Sequence, residues 1–235
     1  MRRNTQGRLG VTLMELMIAV MLVSLLSVGI LYSLRFGLDT LNHTTERLMA
    51  NRRVLGAQRI LDQQLAGTLP VALSCGGQNG PATVFFQGQP SGMRMVSRYT
   101  LEEAARGYPR IVEYTVIAGE RGVGVRLVVN EFLYTGPASL IPFCGGMGVA
   151  MQTGSRPFVV ADKLAGCRFS YLLEDPRTKR RAWSEAFAGK TAPAAIRIEM
   201  LPLEPHPAQL QMTTMTFPIH VNPDAAERYA DIEEP

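Results

Sequence analysis

Gly10-Val11-Thr12-Leu13-Met14-Glu15 opens an apolar run that lasts to Leu34 and holds a single charge, Glu15. A carboxylate in a membrane-length helix costs roughly 2.5 to 3.5 kcal/mol at a bilayer centre, so it needs a partner or a purpose. Residues 16–34 rise about 28 Å at 1.5 Å each, close to the roughly 30 Å hydrocarbon thickness, and one helix therefore suffices to span it.

Arg2, Arg3 and Arg8 precede the run. The positive-inside rule then leaves the amino terminus in the cytoplasm and sends the rest of the chain across the membrane, into the periplasm of a diderm bacterium. A secretory signal peptide fits badly. Its apolar region is about 7 to 15 residues long and ends at a small-residue cleavage site, whereas this run continues through Leu31-Tyr32-Ser33-Leu34 into Arg35 with no A-x-A-like site. An uncleaved anchor explains the run and leaves Gly10 and Glu15 as coincidences.

The combination of basic leader, Gly10, Thr12, Leu13, Glu15 and an uninterrupted apolar helix resembles the type III signal of type IV pilins and pseudopilins. That resemblance implies cleavage by a prepilin peptidase between Gly10 and Val11, with Val11 as the N-methylated amino terminus. The family most often has Phe where this chain has Val11. Major pilins also carry a helix-bending proline near the position of Tyr32, which this chain lacks.

The signal has a physical logic. Glycine lets a protease approach the backbone closely, and cleavage on the cytoplasmic side leaves the apolar segment attached as an anchor. Glu15 then pairs with the free amino terminus of a neighbouring subunit, and breaking such a pair in a low dielectric costs about 3 to 5 kcal/mol. The alternative is a Glu15 that sits in the headgroup zone and snorkels to water.

Removing the leader changes the charge balance. The chain has 24 basic and 20 acidic residues; without the three leader arginines 21 basic residues remain, a surplus of one. No basic stripe with interleaved aromatics supports nucleic-acid binding, and no such partner is expected. Lys179-Arg180-Arg181 reads as a solvated turn after Asp175-Pro176.

Beyond the apolar run, Leu34, Leu41, Leu48 and Leu55 recur every seven residues and Leu38 joins them, with charged residues on other faces. Leu61 and Leu65 extend this face, and Gly67 followed by Pro70 supplies a stop, so the helix is expected to end near Ala66. From Val11 it measures about 84 Å, suited to an anchor whose far half packs on a domain.

Residues 71–235 carry short β-branched and aromatic runs between glycines and prolines. Expected strands are Thr83 to Gln87, Met93 to Tyr99, Ile111 to Ala118, Val123 to Asn130, Phe158 to Ala161, Cys167 to Leu173, Ala195 to Leu201 and Leu210 to Val221. Gly119-Glu120-Arg121-Gly122 reads as a hairpin turn. The fold class is therefore α+β, a long N-terminal transmembrane and amphipathic helix packed on one antiparallel β-rich head. Its parts are a leader at 1–10, a membrane segment at 11–34, an amphipathic continuation at 35–67 and a head at 68–235. The acidic tail from Asp224 is expected to be loosely held.

Three cysteines fit the oxidising side of a membrane. Cys75 and Cys144 each precede Gly-Gly, and we expect them to pair while Cys167 is buried as a small apolar residue. Three free thiols remain the alternative. No C-x-x-C occurs and His43, His206 and His220 are scattered, so neither a zinc site nor another cofactor is expected.

Catalytic signatures are missing: the chain has no G-x-S-x-G, H-E-x-x-H, Walker loop or EF-hand spacing. Glu102-Glu103 reads as solvated surface. Trp183, the one tryptophan, is expected to anchor a strand after the Asp175 to Arg181 turn, or to mark a partner contact if exposed.

The head is similar to that of the J-type minor pseudopilin of type II secretion systems. The similarity lies in Arg59-Ile60-Leu61-Asp62-Gln63-Gln64-Leu65, Tyr108-Pro109-Arg110-Ile111-Val112-Glu113-Tyr114 and Leu164-Ala165-Gly166-Cys167-Arg168-Phe169-Ser170-Tyr171-Leu172, followed by Trp183 and Pro193-Ala194-Ala195-Ile196-Arg197-Ile198. The Cys-Gly-Gly loops replace several of the family's intervening features. The resemblance implies a non-enzymatic subunit that meets I- and K-type minor pseudopilins and the major pseudopilin at a pseudopilus tip on the inner-membrane secretion platform. A type IV pilus or competence pilus subunit would share the cleavage, and a membrane-anchored periplasmic enzyme would not.

Overall fold

A computed structural model describes residues 12–75, 83–101, 104, 107–147, 157–175, 178–187, 191–205 and 210–220, the side chains of 42, 43 and 46 excepted. The chain divides into two units, one ending at Ala50 and the other beginning at Asn51. A single helix, α1 (Leu13–Ala66), contributes to both.

In the first unit, Leu13–Leu41 is apolar and long enough to cross a membrane, and none of its most apolar stretch is buried within the chain. At 1.5 Å per residue this segment is about 44 Å long. Hydroxyls inside it bond to the helix's own carbonyls: Ser24 donates to Val20 O and Ser27 to Val23 O, both at 2.8 Å, and Thr40 donates to Phe36 O at 2.9 Å. A hydroxyl satisfied in this way carries no orphan donor into lipid.

The leucine seam is exposed over most of its length and buried at its end. Leu34, Leu38, Leu41, Leu48 and Leu55 are each 54% exposed or more. The buried face starts later, at the half-buried Val54, and runs through Ala57, Leu61, Gln64, Leu65 and Thr68 at helical three- and four-residue spacing. A heptad is satisfied by any apolar surface, and among the described residues of the second unit the last three turns meet one.

The second unit is built on an antiparallel sheet. Its strands are β3 (Phe86–Gln89), β4 (Gly92–Ser97), β5 (Arg110–Ala118), β6 (Val125–Leu133), β7 (Phe158–Glu174), β8 (Arg181–Ser184), β9 (Ala195–Pro202) and β10 (Met215–Pro218). The order is β10-β9-β7-β6-β5-β4-β3, with β8 paired to the end of β7. A separate two-stranded ladder joins β1 (Ala72–Leu73) to β2 (Thr83–Val84).

One face of this sheet packs on the end of α1. Met93 and Met95 of β4, Val112 and Tyr114 of β5, Leu127 and Val129 of β6, Phe169 and Tyr171 of β7 and Ile196 and Ile198 of β9 form one buried cluster with Ala57, Leu61 and Leu65. Burying one Leu contributes about 1.5 to 3 kcal/mol. Gly67 N–H donates to Gln63 O at 2.9 Å and Thr68 Oγ1 to Leu65 O at 2.7 Å, closing the helix where the Gly67–Pro70 signal places its end.

Strand β4 is buried on both faces. Val96 and its partner Ile111 alternate with Met95 and Val112, so they belong to the opposite face, where Leu73, Phe85, Leu140 and Phe143 form a second cluster. Leu140 and Phe143 come from a 3-10 segment, Pro137–Gly145, which the sequence patterns did not reveal.

Several strand boundaries differ from expectation. Phe158 to Ala161 and Cys167 to Leu173 are one 17-residue strand, β7. The polar Asp162-Lys163 and Gly166 between them mark a bulge, where β7 stops pairing with β6 and starts pairing with β9. Thr83 to Gln87 splits because Val84 pairs with β1 and Phe86 with β4. Residues 210–214 are not in a strand, β10 is confined to Met215–Pro218, and Val221 lies outside the described residues. The Gly119–Gly122 hairpin forms as expected, with Arg121 at φ 55° and Gly122 at φ 75°. Glu102, Glu103, the glycines at 76–80 and the acidic tail lie outside the described residues.

The sheet curls until β3 meets β7 and the residues after β8. Gly88 bridges to Phe187, and Phe86, Tyr171 and Phe187 pack edge to face with centroids 4.9 to 6.3 Å apart. The Tyr171 hydroxyl reaches the carbonyls of Gln89 at 3.0 Å and Gly92 at 2.9 Å, which pins the ring. A Cβ at Gly88 would lie 2.4 Å from Tyr171 Cζ. Gly88→Ala should therefore cost about 1 to 3 kcal/mol; an unchanged denaturation midpoint for the full chain in detergent would show that the ring is free to move.

Candidate functional site

The proposed cleavage residues Gly10 and Val11 lie outside the described residues, and the structure takes up the chain at Thr12. Thr12 is not helical; its carbonyl accepts from Glu15 N–H at 3.0 Å and Leu16 N–H at 3.2 Å, and its Oγ1 accepts from Glu15 N–H at 3.3 Å. Thr12 is thus the N-cap of α1, and Thr12-Leu13-Met14-Glu15 has the S/T-x-x-E spacing of a capping box. As parts of the type III signal, Thr12 and Glu15 do not by themselves announce a cap. The signal that joins them is a Thr three residues before a Glu at the mouth of an apolar run.

Glu15 lies in the first turn, where the helix dipole favours negative charge by about 0.3 to 1 kcal/mol. It is exposed among Thr12, Met14, Ile18, Ala19 and Leu22. The next basic residue along the helix is Arg35, about 30 Å away at 1.5 Å per residue. Between Glu15 and Arg35 the helix itself carries no basic residue.

The head contains two buried polar clusters. In the first, on the α1 side, the Tyr114 hydroxyl donates to Gln64 Oε1, Gln64 Nε2 donates to Glu131 Oε1 at 2.5 Å, and Glu131 accepts from Leu101 N–H at 2.9 Å. Burial, with the Glu131 charge nearby, raises the Tyr114 hydroxyl well above the ordinary phenol value. These bonds set the register of the helix end on the sheet. In the second cluster, Arg94 is fully buried, pairs with Glu113 and donates to Gln87 Oε1 at 2.9 Å. The guanidinium sits 4.4 Å over the Phe143 ring.

Cys75 and Cys144 are joined by a disulfide, with Cα atoms 5.4 Å apart. Cys167 is free and only half-buried, beside the α1-side core. Trp183 lies on β8, is 37% exposed and is stacked by the Arg197 guanidinium at 3.9 Å. Lys179 and Arg181 both pair with Glu174 at an exposed hairpin tip, and such surface pairs contribute little.

The chemistry available to the described residues is limited. Among them no group of three His, Cys, Asp or Glu side chains could hold a metal. Burial raises the Tyr171 hydroxyl above the ordinary phenol value and the Cys167 thiol from 9.0 to about 12, so both keep their protons at neutral pH. Glu15 belongs to the first unit, Cys75 and Cys144 to the second.

Two measurements test these assignments. Thr12→Ala should cost about 1 kcal/mol of cap and speed amide exchange at Glu15 severalfold; unchanged exchange would remove Thr12 as the cap. The raised Cys167 pKa means the fold holds the neutral thiol. The stability this lends is complete below about pH 9 and is lost as pH rises toward about 12. At pH 8 iodoacetamide should alkylate Cys167 at least about a hundredfold more slowly in the folded than in the unfolded chain, and comparable rates would place the thiol in water.

Compared with known protein families and with curated proteins, the chain matches no family model and no curated sequence, so the reading of this site rests on its own residues.

Proposed function

We propose that this chain is a structural minor pseudopilin of a type II secretion system. In this reading prepilin peptidase cuts between Gly10 and Val11, and Val11 becomes the methylated amino terminus. α1 anchors the subunit in the inner membrane and the β-rich head stands in the periplasm. The subunit joins I- and K-type minor pseudopilins and the major pseudopilin at the pseudopilus tip, and supports export of folded proteins without catalysing a reaction.

The observation that carries this reading is the start of α1. A cap at Thr12, directly after the Gly10-Val11 pair, begins a helix with one carboxylate in its first turn and an exposed apolar surface through Leu41. A helix that exposes apolar side chains all round suits lipid first and neighbouring helices second. The carboxylate, with no cation along about 30 Å of helix, suits an ammonium group supplied by another subunit.

Intact mass of the membrane-extracted protein tests the processing step. Loss of Met1 to Gly10 and addition of one methyl group are expected in cells with a prepilin peptidase, and an intact leader there would reject both the pseudopilin and the pilus readings. Glu15→Ala should still be cleaved but enter the filament poorly; normal incorporation would remove the assembly role. Co-purification with I- and K-type partners separates the secretion subunit from a pilus subunit.

A further inference from the structure

The 3-10 segment Pro137–Gly145 lies against the sheet on the face opposite α1 without being a strand of it. A short 3-10 run interrupted by Pro142 has poor hydrogen-bond geometry of its own, so its attachment depends on side chains and on Cys144. Leu140 and Phe143 are buried in the second cluster, Gln87 Nε2 donates to Phe143 O at 2.6 Å, and Arg94 Nη1 donates to Gly146 O at 3.4 Å. Phe143 also lies over the Arg94 guanidinium, whose charge is wholly removed from water.

Beneath this strap the situation is different. β3, β4, β5 and β6, all between Cys75 and Cys144 in sequence, are held by continuous ladders, so the sheet does not need the disulfide to stay paired. The strap has no such ladder. Lifting it exposes Leu140 and Phe143, which is unfavourable, but it also returns water to the Arg94–Glu113 pair and relieves the desolvation of two charges. These opposing contributions make the strap's attachment sensitive to a single covalent bond.

We propose that the Cys75–Cys144 disulfide is a redox-operated latch that holds the 137–146 strap closed over the buried Arg94–Glu113 pair, and that reduction by a dithiol opens the strap while the sheet stays folded. Cys75 is the exposed partner and Cys144 the half-buried one, so the attacking thiolate enters at Cys75 Sγ. A mixed disulfide forms there, and Cys144 leaves as a thiolate that takes up a proton. The second thiolate of the reductant then closes on the mixed disulfide and releases Cys75 in the same way. The reductant gives up two electrons and departs as a disulfide. Cys167 packs beside the core on the other face of the sheet and takes no part in the exchange.

The test uses the full chain in detergent micelles, oxidised or treated with dithiothreitol. Hydrogen exchange across 138–146 should rise at least about tenfold on reduction while β5, β6 and β9 keep their protection. Phenylglyoxal should label Arg94 at least about tenfold faster. A Cys75→Ser, Cys144→Ser double variant should reproduce both changes without reductant, and Cys167→Ser should reproduce neither. Unchanged strap exchange after complete reduction would overturn the proposal, since the side-chain contacts would then suffice. Loss of protection throughout β5, β6 and β9 would overturn it as well, because the bond would then hold the whole head.

Discussion

The burial of the last three turns of α1 on the sheet is the constraint from which the second unit follows. Ala57, Leu61 and Leu65 supply one side of the core, and strands β4, β5, β6, β7 and β9 supply the other. An antiparallel sheet with a large apolar face has to cover it, and among the described residues the end of α1 is the helix that packs on that side. The Tyr114–Gln64–Glu131 bonds add what apolar contact cannot, since a helix sliding by one turn would keep much of its buried area but leave these polar groups unpaired. The core holds the helix end down and the polar cluster fixes where.

The same helix shows what an apolar pattern can and cannot say. Its existence, its end at Ala66 and its membrane-length segment were readable because apolar length, Gly67 and Pro70 are local signals. The packing partner of each leucine was not. Leu48 and Leu61 look equivalent as a seam, yet one is 54% exposed and the other fully buried. Periodicity records that a face is apolar and leaves open whether this chain, a lipid or another chain covers it. The strands divide along similar lines. β5 and β6 stood out as β-branched runs on either side of Gly119–Gly122, whereas β7 is continuous through Asp162-Lys163 because a change of pairing partner, invisible in sequence, carries it past the bulge. The 3-10 strap was missed because it has neither period. The cysteine pairing drew on matched Cys-Gly-Gly loops, but the strap contacts around Cys144 come from residues far apart in sequence.

Arg94 accounts for the second face of the sheet. A guanidinium buried at the centre of β4 is costly unless it is paired, and here Glu113, Gln87, Gly146 O and the Phe143 ring meet its Nη atoms and its face from β5, β3 and the strap. Replacing the pair by apolar residues of the same volume would in general be no loss of stability. What the charge adds is specificity. A strap that carried only Leu140 and Phe143 could dock in several registers on an apolar face, while one that must also present a carbonyl and an aromatic face to a buried cation has far fewer.

The magnitudes at Glu15 separate its local role from its wider one. Thr12 and the helix dipole give the carboxylate a favourable position worth roughly 0.3 to 1 kcal/mol. A charge carried to the bilayer centre costs roughly 2.5 to 3.5 kcal/mol, and the cost falls toward the interface. The cap explains why the charge is tolerable at the first turn and would not be eight residues later. It leaves a deficit of roughly 1.5 to 3 kcal/mol whenever the helix start is drawn deeper into an apolar environment. Within one chain nothing along the helix meets that deficit, because the next cation is Arg35. In the assembly proposed above, an amino-terminal ammonium from a neighbour would meet it, at one axial offset between the two. On the proposed reading, local capping and intermolecular pairing are successive demands of one carboxylate: the first lets the helix begin at Thr12, and the second would be felt only when that beginning leaves water.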